Sequence, residues 1–133
     1  MQYTSPPIGN NISWIFWNFS PKFFSNPSKL ESILREGLKK DGLTPLNWHT
    51  HMFKGGGFTM LVPLSESHLS CHSYVEYGSL AFSLYSCLSP ISGKYTYQNC
   101  LDKVNPKRYL LVQHLMPVDL HFLGDLELKI EKH

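Results

Sequence analysis

Apolar residues recur along this chain in two rhythms. Leu30, Ile33, Leu34 and Leu38 are spaced by three and four, which lines them along one helical face. The punctuation agrees: Ser25 or Asn26 can cap the start, Pro27 suits the first turn, and Gly42 lies just past the end. Elsewhere, short β-branched, aromatic or alternating runs predict strands over residues 12–19, 46–53, 58–66, 68–76, 79–87 and 108–115. Gly55-Gly56-Gly57 and Tyr77-Gly78 mark turns between them. A second helix is expected over residues 95–104, ended by Pro106, and residues 1–10 read as a loose lead-in. Near the end, Leu126, Leu128 and Ile130 alternate with charged residues and predict an edge strand. Two helices among several strands joined by short turns predict an α+β domain. It would be a two-layer sandwich, an antiparallel sheet with helices packed on one face.

Bulk properties narrow the function classes. A length of 133 residues suits one domain spanning 1–133. Hydrophobic content of 42% against 17% charged excludes an intrinsically disordered chain. A net charge of +2 is too small to argue for nucleic acid or an anionic membrane as partner. Lys39, Lys40, Lys103, Lys107 and Arg108 read as solvated ends of elements. No apolar run approaches the roughly 20 residues that span a bilayer, and the first residues show no secretory pattern. Cys71, Cys87 and Cys100 are odd in number and form no C-x-x-C pair, so reduced thiols in a cytoplasm are expected.

Candidate chemistry concentrates between Leu64 and Gly78, with Cys87 nine residues further on. If Tyr77-Gly78 is a two-residue hairpin loop, Glu76 opposes Ser79, His72 opposes Ser83 and His68 opposes Cys87. Period-two geometry then points His68, Ser70, His72, Glu76 and Cys87 to one face, with Ser67 one step from Cys87. Zinc is one candidate for such a cluster, although the His68/Cys71/His72 spacing matches no common zinc pattern. A Cys-His hydrolase with Cys87 as nucleophile and His72 or His68 as base is another. Plain packing of small thiols under surface histidines is a third. The residue types alone leave all three open.

The literal string separates them. Ser65-Glu-Ser-His-Leu-Ser-Cys-His72, then Glu76-Tyr-Gly78, then Cys87, resembles the signature of bacterial and archaeal S-adenosylmethionine decarboxylases. That signature is Ser-Glu-Ser-His-[Ile/Leu]-[Ser/Thr]-Ile-His-Thr-Trp-Pro-Glu-Tyr-Gly, with a following strand that ends in Thr-Cys-Gly. The spacings from Ser67 to His72 and to Cys87 agree without gaps, and His51-x-Phe53 matches upstream. Thr59 falls where the family has serine, Tyr74-Val75 replaces Trp-Pro, and Leu88 replaces the final glycine. The resemblance runs over residues 47–87.

What the resemblance implies is a self-cleaving, pyruvoyl-dependent enzyme. Ser67 would attack the Glu66 carbonyl, and after elimination and hydrolysis a pyruvoyl group would cap the downstream chain. Residues 1–66 would become the β chain and 67–133 the α chain. His72 matches the processing base and Thr59 the assisting hydroxyl. The pyruvoyl carbonyl would form a Schiff base with S-adenosylmethionine and accept the electrons left by departing carbon dioxide. Cys87 matches the proton donor, a task suited to a thiol with its ordinary pKa near ~8.5. Phe53 matches the ring under the adenine and Glu76 the carboxylate on the ribose, while Glu66 at the new chain end would border the site. The implied product feeds spermidine synthesis, and the implied assembly is a homodimer of cleaved αβ units with no metal. L-ornithine or L-arginine as substrate, or an uncleaved binding homologue, are the alternatives.

Overall fold

A computed structural model describes residues 6–121. Its six strands are β1 (Ile8–Trp17), β2 (His49–Met52), β3 (Phe58–Leu64), β4 (Ser67–Tyr74), β5 (Ser79–Ser86) and β6 (Arg108–Pro117). They form one antiparallel sheet in the order β2-β3-β4-β5-β1-β6. Three helices, α1 (Lys22–Ser25), α2 (Pro27–Lys40) and α3 (Lys94–Val104), complete the described chain.

Alternation decides which face is covered. β1 buries Ile12, Trp14 and Phe16, β3 buries Phe58, Met60, Val62 and Leu64, and β5 buries Leu80, Phe82 and Leu84. These meet the α2 stripe Leu30, Ile33, Leu34 and Leu38 and the α3 residues Tyr97, Cys100 and Val104 in one core. Full burial of a leucine such as Leu34 is worth about 1.5–3 kcal/mol, so the stripe dominates the docking of α2. Trp14 stacks on Phe82 with centroids 5.0 Å apart and receives Tyr97 edge-on at 5.6 Å, tying sheet to α3. The helices approach closely at Gly37, where an added Cβ would lie 2.6 Å from the Thr96 Cα. Asp41, just past α2, caps α3 from outside: its carboxylate accepts from Thr96 N–H at 2.8 Å and Thr96 Oγ1 at 2.6 Å.

None of the described helices covers the other face. It carries Ser13 and Ile15 of β1, Thr59 of β3, Ser70 and His72 of β4, and Ala81, Ser83 and Tyr85 of β5, shielded only partly by one another.

Several expectations need correction. β1 starts at Ile8, inside the expected lead-in, because β6 pairs with it from Ile8 and β5 from Asn10. The buried Asn10 amide donates to the Ser92 carbonyl at 2.7 Å, so its polarity does not bar it from the sheet. β2 is confined to His49–Met52, and the short α1 was not foreseen. The β4–β5 loop is longer than two residues: Val75–Tyr77 form a 3-10 turn closed by Gly78 at φ +65°. Tyr74 therefore opposes Ser79, His72 opposes Ala81 and His68 opposes Tyr85. A slip of two residues keeps His68, Ser70 and His72 on their expected face, whereas a slip of one would have inverted them; Glu76, expected on that face at the strand's end, falls on the 3-10 turn instead. The strand expected around Leu126, Leu128 and Ile130 lies outside the described residues.

Candidate active site

The turn Ser65-Glu66 joins β3 to β4, with Leu64 opposite Ser67. Ser67 has φ +153°, a region that only glycine occupies readily. Among the described residues the other non-glycine positions with positive φ are Asn18 at 56° and Asn105 at 53°, in the left-handed well that asparagine tolerates. Strain of this kind costs about 1–3 kcal/mol and persists only where neighbours over-determine the backbone. Here they do. Ser65 N–H donates to the Thr44 carbonyl at 2.9 Å, and Thr44 N–H donates to Glu66 Oε1 at 2.8 Å. Cys87 N–H donates to the Glu66 carbonyl at 3.0 Å, placing a donor on the carbonyl that precedes Ser67.

Beside this turn, Ser67 Oγ lies 3.1 Å from His68 Nδ1, and the His68 ring stacks on Tyr85 with centroids 5.9 Å apart. Cys87 is half-buried. Burial pushes the Cys71 and Cys100 thiols up, so both stay protonated within the core.

A second cluster sits at the far end of β4. Thr59 faces His72 across β3–β4, and Thr59 Oγ1 lies 2.6 Å from His72 Nδ1, which fixes the imidazole. Around that ring stand Tyr74 at 4.7 Å and Phe53 at 6.1 Å between centroids, with His51 5.0 Å beyond Phe53. Phe53 is 44% exposed and Tyr74 37%, so both offer ring surface to a flat ligand. Glu76 follows on the exposed 3-10 turn. Gly57, at φ +92° with Ser73 Oγ 2.9 Å from where its Cβ would be, lets the Phe53 loop return tightly into β3.

These are two clusters. β4 runs unbroken from Ser67 to Tyr74, so the five steps from Ser67 to His72 span roughly 16 Å. The expectation that one hairpin gathers every group into a small volume is corrected: His68, Ser70 and His72 share a face but not a place, and Glu76 leaves the strand for the turn. Glu66, Ser67, His68 and Cys87 form one half; Phe53, Thr59, His72 and Glu76 form the other. The sequence marks Tyr74 only as a replacement for tryptophan and does not mark Tyr85 at all, although period two from His72 and from Cys87 reaches them. Among the described residues no group of three or more His, Cys, Asp or Glu is placed to hold a metal ion. Concavities of about 730 and 580 Å³ lie at the other end of the sheet order, around Trp17, Asn18 and Lys107.

An antiparallel sheet backed by helices, with hydroxyl, imidazole and thiol groups on its bare face and at the turn beside it, defines an α+β enzyme. Residues 12–115 match the family described as S-adenosylmethionine decarboxylase, and the chain belongs to that family. It is 27% identical over 108 residues to the S-adenosylmethionine decarboxylase proenzyme of Thermosipho africanus, covering 81% of this chain and 83% of that one. The proenzyme of the archaeon Thermoplasma acidophilum is 25% identical over 99 residues, covering 74% and 76%. In fold it is similar to the crystal structure of the adenosylmethionine decarboxylase from Aquifex aeolicus, with a TM-score of 0.73 at 24% identity over 83% of this chain and 91% of that one.

Proposed function

We propose that this chain is a proenzyme that cuts itself between Glu66 and Ser67 and then decarboxylates S-adenosylmethionine. The observation that carries the reading is the strained Ser67, whose preceding carbonyl is held by the Cys87 N–H. Ser67 Oγ attacks the Glu66 carbonyl carbon, the C–N bond breaks, and an ester replaces the peptide. A base removes the Ser67 α-proton, the Glu66 carboxylate leaves, and the dehydroalanine takes up water and loses ammonia to become a pyruvoyl group. When formed, that group would supply an electron sink for the bonding pair left on the substrate carbon as carbon dioxide departs.

The remaining roles belong to this chain's own side chains. Cys87, next to the turn, delivers the proton to the substrate carbon. Phe53 stacks on the adenine, Glu76 takes the ribose hydroxyls, and Glu66, tied to Thr44, borders the site at the new chain end. His72, oriented by Thr59, is the processing base. It cannot act on the Ser67 of its own chain across roughly 16 Å of extended strand. A homodimer resolves this. Two bare sheet faces related by a two-fold axis, their β4 strands antiparallel, bring the partner subunit's His72 and Phe53 to each Ser67, twice over.

After cleavage the fragments 1–66 and 67–133 stay joined, since β1 of the first lies between β5 and β6 of the second. Free thiols, two buried and one half-buried, fit a reducing cytoplasm, and the product would supply aminopropyl groups for spermidine. Release of carboxyl-labelled carbon dioxide tests the substrate. The account expects release from S-adenosylmethionine and at most trace release from L-ornithine and L-arginine. Equal or greater release from either amino acid would transfer the assignment to it.

A further inference from the structure

We propose that His68 is the base that takes the Ser67 hydroxyl proton in the first step of self-cleavage, a role separate from that of His72. This rests on the reading of Ser67 as the cleavage serine.

Adjacent residues of a regular strand point to opposite faces, so their side chains do not meet. Ser67 and His68 do meet, at 3.1 Å between Oγ and Nδ1, at the point where the Ser67 φ of +153° departs from the β region. The backbone distortion thus brings the nucleophile to the imidazole. The ring is itself held. In the strand register His68 pairs with Pro63 on β3 and Tyr85 on β5, and it stacks on Tyr85 with 24° between planes. With the ring proton on Nε2, the Nδ1 lone pair accepts the hydroxyl hydrogen.

The step balances within residues 66–68 and 87. Nδ1 takes the hydroxyl proton as Oγ bonds to the Glu66 carbonyl carbon. The resulting oxyanion sits where the Cys87 N–H already donates at 3.0 Å. When the C–N bond breaks, the imidazolium returns its proton to the departing nitrogen, leaving ester and free amine with no net proton change. His68 and His72 then divide the work by stage: the first forms the ester, the second eliminates from it.

Hydroxylamine separates the stages, because it cleaves an ester at this position and leaves the peptide intact. Full-length precursor made by cell-free synthesis is followed by denaturing electrophoresis, with and without hydroxylamine. His68→Ala is expected to slow cleavage about 10²–10⁴-fold, with no hydroxylamine-sensitive fraction and partial rescue by added imidazole. His72→Ala should instead accumulate the hydroxylamine-sensitive ester. His68→Gln, which keeps bulk and polarity, replaces the alanine variant if that one does not fold, with the same loss expected. Cleavage within a few-fold of wild type overturns the assignment. So does a stalled His68 variant whose ester is trapped, or a block that imidazole does not relieve, which would leave His68 merely holding the turn. A wild-type chain that stays intact, or a Ser67→Ala chain that cuts, would overturn the underlying reading instead.

Discussion

Three residues with ordinary side chains acquire unusual circumstances at the β3–β4 turn. Ser67 is strained, the Glu66 carbonyl receives a hydrogen bond from Cys87, and Cys87 remains half-buried while Cys71 and Cys100 are sealed in the core. The proposed function thus gives Cys87 two separable roles, one through its backbone and one through its thiol. Cys87→Ala keeps the N–H, so cleavage should proceed at close to the normal rate. Turnover should then fail: progress curves of carbon dioxide release should decay as protonation on the wrong carbon turns the pyruvoyl terminus into alanine. Linear curves over many turnovers would remove the thiol as donor. At this scale, the resemblance of the string from Ser65 to Gly78 is what points to Ser67, His72 and Cys87; residue types alone leave zinc, a hydrolase and plain packing open. Neither carried any sign of the Ser67 dihedral or of the donor on Glu66, because both arise from the clamp by Thr44 and Cys87, distant in sequence. The contact between Ser67 and His68 runs against strand alternation, so no periodicity argument reaches it.

Elements followed the hydrophobic pattern where that pattern was strong. The α2 stripe and its Asn26, Pro27 and Gly42 punctuation placed the helix within a residue or so of Pro27–Lys40. Boundaries failed where tertiary pairing overrode local preference, as at the polar start of β1, which two neighbouring strands and the Asn10 contact hold in the sheet. The β4–β5 turn was misjudged because Tyr77-Gly78 fits both a two-residue loop and the end of a 3-10 turn. Period two spared the face assignment. Gly37 reports on the α2–α3 contact: Gly37→Ala should cost about 1–3 kcal/mol of overpacking against the Thr96 backbone, more than the ~1 kcal/mol that alanine returns in helix propensity. Thermal unfolding should show a midpoint lower by a few degrees. A raised midpoint would mean that the helices separate freely and that the close approach is incidental.

Across the whole molecule, the bare sheet face and the two separated half-sites have one explanation in common. In the proposed dimer a site split along β4 is completed by a second copy, so the two halves can be mutated apart and recombined. Ser67→Ala and His72→Ala chains should each fail to complete cleavage alone. When co-expressed with different tags, mixed dimers should restore it, and only the chain that keeps Ser67 should be cut. Absence of any fragment from verified mixed dimers would place both halves in one chain, against the strand geometry. Sequence could not reveal this division, because Ser67 and His72 look adjacent on paper and only the straightness of β4 separates them.

Self-conversion of Ser67 is the claim beneath all of this, and the intact mass of active, freshly purified protein under denaturing conditions tests it most directly. The account predicts two polypeptides, one ending at Glu66 and the other beginning at position 67 with a ketone that reacts with hydrazine. A single 133-residue chain in fully active material, with an ordinary serine at position 67, would contradict it.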